Sequence, residues 1–148
     1  MTAAADPTIP HHHQHLGNGV EVIVVPDHTV PITVVHVCYR VGSGDEDGGQ
    51  SGFAHLYEHL FKNSLHLGPR HHYEVLRSVG ASGNASTSAD RTSYHEIVPP
   101  HELELALWLE SDRMGYFLPG LTGERLERQK QVVRNERRQR YDNVPYGK

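Results

Sequence analysis

Gly52-Phe53-Ala54-His55-Leu56-Tyr57-Glu58-His59-Leu60-Phe61 says more about this chain than any other segment. On a helix each residue turns the chain by about 100°, so positions three and four apart share a face. His55 and His59 then project side by side, with Glu58 on the same side. Two neutral imidazoles with a carboxylate beside them suit Zn²⁺, the carboxylate being held over a water on the metal. The other side reads Phe53, Leu56, Tyr57, Leu60 and Phe61, an apolar stripe at helical spacing. The stretch therefore predicts a helix with a core side and a chemical side. Chance is the competing explanation, since the chain holds 13 histidines.

Outward from this segment the chain reads as one ordinary globular domain. At 148 residues it is long enough for a real core, and its formal net charge is −4. It contains no apolar run long enough to span a membrane. Its start shows neither a basic stretch nor an apolar one, so no signal peptide is visible. As the chain stands this predicts a cytoplasmic protein, with a periplasmic or secreted one the alternative if the true N-terminus is missing. A single cysteine, Cys38, excludes an internal disulfide and reads as a small buried hydrophobe. His11-His12-His13 with His15 reads as a loop or tag-like extension, loose metal binding being the alternative. Residues 1–16 are expected to form a flexible tail, and residues 17–148 the domain.

Two short β-branched runs follow the tail, Gly19–Val25 and Ile32–Val41. The turn from Pro26 to Pro31 suggests that they pair antiparallel. The acidic glycine-rich residues Gly42–Gly49 lack the signatures of phosphate or calcium loops and read as the connector into the motif helix. A helix is expected near His71–Val79. The small, polar run Gly80–Ala89 reads as a linker or as an edge strand beside the alternating run Arg91–Val98. Helices over His101–Tyr116 and from Gly120 to about Tyr141 close the chain, Pro99-Pro100 preceding the first of them.

The last helix adds a second chemical element. Leu126, Gln129, Val132, Val133, Glu136 and Arg140 fall on one face, which points Glu136 toward the core. A lone buried carboxylate is costly unless paired or metal-bound. Glu136 is thus either a third zinc ligand or the partner of one of the helix's own arginines. The same helix carries Arg125, Arg128, Lys130, Arg134, Arg137, Arg138 and Arg140 against Glu124, Glu127 and Glu136. The chain is acidic as a whole and shows no nucleic-acid module, so this reads as a solvated face with no nucleic acid as partner.

Over nearly all of residues 17–147 the sequence resembles the N-terminal domain of the pitrilysin/insulinase family of zinc metallopeptidases, in its bacterial half-length form. The family is an inverted zincin, with the His-x-x-Glu-His order. The resemblance rests on Gly52–His59, Gly83-Asn84-Ala85-Ser86-Thr87, Asp90-Arg91-Thr92-Ser93-Tyr94 and Val132-Val133-Arg134-Asn135-Glu136-Arg137-Arg138. Positions 59 and 136 differ by 77, leaving 76 residues between them, the spacing at which the family places its third ligand.

The resemblance implies an α+β fold, helices packed on one face of a mostly antiparallel sheet, like the metallohydrolase domain of the mitochondrial processing peptidase. It implies that one Zn²⁺ is bound by His55, His59 and Glu136, with Glu58 as the general base of a metalloendopeptidase. Asn84 and Ala85 match the edge strand on which the family lays a peptide or unfolded polypeptide by strand addition. Gln129 stands where the family often has a second glutamate near the metal, which implies altered tuning of the metal's surroundings. Family members carry a homologous C-terminal domain that completes the cleft. This chain stops at Pro145-Tyr146-Gly147-Lys148, where the first domain is incomplete, so a further domain or partner subunit is expected. The alternatives are a non-catalytic or half-site subunit of a two-chain peptidase, and an S-ribosylhomocysteine lyase-like enzyme. The latter needs a downstream cysteine as third ligand, and Cys38 lies upstream.

Overall fold

A computed structural model of the chain describes residues 9–49 and 51–139. Arg140 and Tyr141, assigned above to the last helix, lie outside the described residues, as do the first eight residues of the tail and the C-terminal Pro145–Lys148. The chain divides into two compact units, Met1–Pro31 and Ile32–Lys148.

The first unit contains an antiparallel ribbon of β1 (His12–His15) and β2 (Glu21–Val24), with His15 opposite Glu21 and His12 opposite Val24. Residues 12–15 therefore form a strand, although the sequence places them in a tail. The ribbon closes through Leu16, whose N–H donates to the Val20 carbonyl at 2.8 Å, while Asn18 Oδ1 accepts from the Val20 N–H. This turn, Gly17-Asn18-Gly19, decides the pairing. β2 takes β1 as its neighbour, and the expected pairing of Gly19–Val25 with Ile32–Val41 does not form. The Pro26–Pro31 segment lacks the compact turn chemistry that Gly17–Gly19 supplies.

The second unit is built on a three-stranded antiparallel sheet in the order β3 (Thr33–Tyr39), β5 (Thr92–Val98), β4 (Ser82–Thr87). Side chains alternate across it. Val35, Val37 and Tyr39 share one face with Tyr94, Glu96 and Val98, and with Gly83, Ala85 and Thr87. Helices α1 (Phe53–Leu60), α2 (His72–Ser78), α3 (Leu103–Gly120) and α4 (Gly123–Arg137) complete the unit. Leu76, Ala81, Val98, Ala106 and Leu109 form one core cluster, and Leu60, Phe61, Tyr94 and Phe117 another. Each large side chain so buried contributes about 1.5–3 kcal/mol. The other sheet face leaves Val34, His36, Cys38, His95 and Ile97 exposed. The architecture is α+β with helices on one face, as the sequence predicts.

Alternation also corrects the reading of Cys38, which is exposed. Its apolar neighbours in sequence gave no sign of which sheet face is covered. The motif helix departs from its expected stripe in a similar way. Leu60 and Phe61 are buried, but Phe53 is 60% and Tyr57 38% exposed. No helix among the described residues is long and apolar enough to cross a membrane.

Candidate metal centre

Placement of the motif helix starts before it. Gly52 caps α1 with φ 90°, a conformation that favours glycine. Glu46, from the acidic loop, accepts from the N–H groups of Gly52 at 2.7 Å and Ala54 at 2.8 Å. A carboxylate there satisfies two donors at the helix start and faces the positive end of its dipole. The loop is itself fixed against the β4–β5 connection: the Ser43 N–H donates to Ser88 O at 2.9 Å and the Gly44 N–H to Ala89 O at 2.7 Å. A side chain at Gly42 would put its Cβ 2.3 Å from Ser88 O.

With α1 so held, His55 and His59 present Nε2 atoms 3.2 Å apart. α4 packs on α1, starting at Thr122, whose Oγ1 accepts from the Arg125 N–H. It brings Glu136 Oε2 to 3.5 Å from each imidazole Nε2. Bonds of about 2.0–2.1 Å to a tetrahedral ion place donor atoms about 3.3–3.4 Å apart. The three donors therefore form a nearly equilateral triangle of the size that Zn²⁺ requires. Burial, with the Lys62 cation nearby, holds His59 below the usual imidazole range and favours the neutral ring that can coordinate. Glu136 is half-buried, and α4 has no fully buried residue, so the expectation of a core-facing carboxylate does not hold. Glu136 meets histidines of another helix at a cleft.

Glu58 lies on the same helix as the two imidazoles and is buried. Its Oε2 accepts from Thr87 Oγ1 at 2.6 Å, and Lys62 Nζ stands 3.8 Å from Oε1. The cleft of ≈ 1320 Å³ is lined by His55, Glu58, His59 and Glu136, by Asn84–Thr87 of β4 and by Phe53. β4 is an edge strand of its sheet among the described residues. Asn84 Oδ1 accepts from the Ala85 N–H at 2.9 Å. Gln129 lines a separate, smaller cavity with Arg125 and Arg128, away from these groups. In the sequence alone Thr87, Lys62 and Glu46 carry no sign of belonging to the site. Thr87 lies inside a quoted motif, but only its alternation in β4 shows that its hydroxyl points to the α1 side.

A second buried constellation, also unforeseen, joins His72, Glu96, Glu110 and Arg113. His72 Nε2 contacts Glu96 Oε1, and Arg113 pairs with Glu110. Burial, then Arg113, pulls His72 down to about 4, and burial pushes Glu110 up to about 7. The Arg113 guanidinium sits over the Tyr94 ring, 3.9 Å from its centroid. A cation already occupies Glu110, so this group reads as an ion-paired anchor between α2, β5 and α3, not as a metal site.

A sequence profile of "Insulinase (Peptidase family M16)" matches residues 21–145. "Zinc protease PqqE" of Helicobacter pylori (strain ATCC 700392 / 26695) is 37% identical over 139 residues, which are 93% of this chain and 31% of that protein. The crystal structure of a protease from Helicobacter pylori matches with a TM-score of 0.87 at 36% identity, over 95% of this chain and 33% of that one. Pitrilysin matches with a TM-score of 0.75 at 27% identity, over 89% and 15%. The chain thus spans a third or less of the length of each of these.

Proposed function

The chain belongs to the insulinase family, peptidase family M16, and from that premise we propose that it supplies the metal-binding half of a zinc-dependent endopeptidase cleft. The observation that carries this reading is the triangle of His55, His59 and Glu136 donors, 3.2 and 3.5 Å on its edges, beside a buried glutamate.

His55, His59 and Glu136 would hold one Zn²⁺. When bound, the ion supplies Lewis acidity, polarising the scissile carbonyl and lowering the pKa of water. The chain's own groups do the rest. A peptide enters as an added strand along the open edge of β4, its main chain pairing at Asn84 and Ala85. Entry displaces the Asn84 side chain from the Ala85 N–H. Glu58 takes a proton as the water oxygen bonds to the carbonyl carbon. It then passes that proton to the amide nitrogen as the C–N bond breaks. Thr87 fixes one oxygen of Glu58, which leaves the other for the proton. Phe53, exposed at the cleft, offers an apolar contact to a substrate side chain.

The alternative is a half-site reading. In that form, hydrolysis needs a homologous second domain or subunit to complete the cleft.

Zinc content and hydrolysis of a quenched fluorescent peptide library, with and without an added homologous second domain, test both forms. Glu58→Gln should keep its zinc and lose hydrolysis. Glu136→Ala should lose a zinc equivalent. A Glu136→Ala chain that binds zinc like its parent, or a Glu58→Gln chain that still cleaves, would refute the assignment. Zinc binding without cleavage in either format would leave a non-catalytic subunit.

A further inference from the structure

The β1–β2 ribbon carries a set of donors that plays no part in the peptidase cleft. His13 and His15 are two apart on β1, so both side chains leave the same face of the ribbon. Their ring centroids are 5.0 Å apart. β2 runs back with Glu21 opposite His15, and residues directly opposite share a face. Glu21 Oε1 reaches 2.9 Å from His13 Nε2. One ligand atom from each of His13, His15 and Glu21 lies within 4.8 Å of the other two.

We propose that His13, His15 and Glu21 form a second, surface site for a divalent transition-metal ion, separate from the His55, His59 and Glu136 set. Two imidazole nitrogens and a carboxylate oxygen are a donor set shared by Zn²⁺ and Cu²⁺, and such sites favour Cu²⁺ in affinity. A hydrogen bond between His13 and Glu21 alone would need no third group, yet a ligand nitrogen of His15 also lies within 4.8 Å of both. The turn through Leu16 and Val20 fixes the register that brings Glu21 there. All three residues are exposed, so solvent completes the coordination and the ion exchanges readily. Such a site suits reversible capture of a metal, not catalysis. His12, on the opposite face by alternation, takes no part, which sets this site apart from loose chelation by a histidine run.

The full 148-residue chain carrying His55→Ala/His59→Ala is titrated with CuSO₄ and, separately, ZnCl₂. Calorimetry reads the stoichiometry, and paramagnetic resonance of the Cu²⁺ form reads the bound nitrogens. One equivalent with two nitrogens is expected. Adding His13→Ala/His15→Ala should abolish it, and His12→Ala should leave it unchanged. Loss of an outer partner of a metal ligand weakens binding about 10–100-fold, so Glu21→Gln should weaken it by at least ~10-fold. Binding that survives His13→Ala/His15→Ala, that falls as far with His12→Ala, or that is absent from the folded background overturns the proposal. If circular dichroism shows that the first background does not fold, His55→Gln/His59→Gln serves in its place.

Discussion

Thr87 Oγ1 donates a 2.6 Å hydrogen bond to Glu58 Oε2, joining the edge strand that lines the cleft to the carboxylate on the helix of the two imidazoles. Hydrogen bonds to charged groups are worth about 1.5–3 kcal/mol, so this contact aims Glu58 as well as holding it. Thr87→Val should lower kcat of the complete peptidase by about tenfold or more at unchanged zinc content. Thr87→Ser, which keeps the hydroxyl, should restore most of it. A Thr87→Val chain that loses zinc and activity together would assign the contact a purely structural role.

Glu46 is expected to matter beyond its distance from the metal donors. Glu46→Ala leaves the N–H groups of Gly52 and Ala54 without their acceptor. Loss of a helix cap costs about 0.5–2 kcal/mol, a fall in Tm of about 2–4 °C per kcal/mol for a chain of this size. Zinc affinity should fall with it, because the first turn of α1 positions His55. Calorimetry and zinc titration on one preparation check both; a Tm that does not move would remove Glu46 from the frame of the site.

Gly42 is constrained by contact and not by its backbone, which is extended. In Gly42→Ala the new Cβ meets Ser88 O and the Ala89 carbonyl at 2.3–2.7 Å. Neither can rotate away, so the loop or the β4–β5 turn must shift. Overpacking of this kind costs about 1–3 kcal/mol. The shift should reach Thr87, one residue from Ser88, and reduce activity. Denaturant unfolding should report the loss, and an unchanged midpoint would show that the loop yields freely.

His72 should make stability depend on pH. Its folded-state value of about 4 lies below the ordinary 6.5, so the unfolded chain binds a proton at higher pH than the folded one. Stability from the neutral ring is complete above 6.5 and is lost as pH falls toward 4. At about 1.36 kcal/mol per unit, the upper bound is about 3 kcal/mol. Glu96 and Glu110 face the same ring and titrate in both proteins, so the comparison is with His72→Gln. The advantage of the parent over that variant should shrink between pH 6.5 and 4. A constant difference would mean that His72 stays neutral in neither or both states.

The sequence was most legible where information is local. The helices α1 and α4 and the bulk-free edge strand each appear in single stretches, and the structure forms each of them. The interval from His59 to Glu136 carried long-range information, and those side chains do converge. What stayed hidden depends on which surfaces meet. Cys38 and Phe53 look like core residues in the sequence, yet both are exposed. Glu46, Lys62 and Thr87 are ordinary polar residues until α1, the acidic loop and β4 are brought together. The sequence points β2 to the wrong neighbour because the run of histidines before it does not look like a strand.

Two of the three proposed ligands come from neighbouring turns of one helix, and the third comes from a helix with no fully buried residue. Metal binding there would therefore also act as a tether. It would close the chain between His59 and Glu136 and fix the end of α4 against α1, adding to the hold that Leu126 provides by packing on the core. Anything that binds the native state alone stabilises it by mass action. The gain is concentrated on a helix with no fully buried residue, so zinc loss should loosen the last helix first and leave the sheet intact. Amide exchange at α4 then reports metal occupancy, and the stability of this end of the chain becomes a measure of the available zinc.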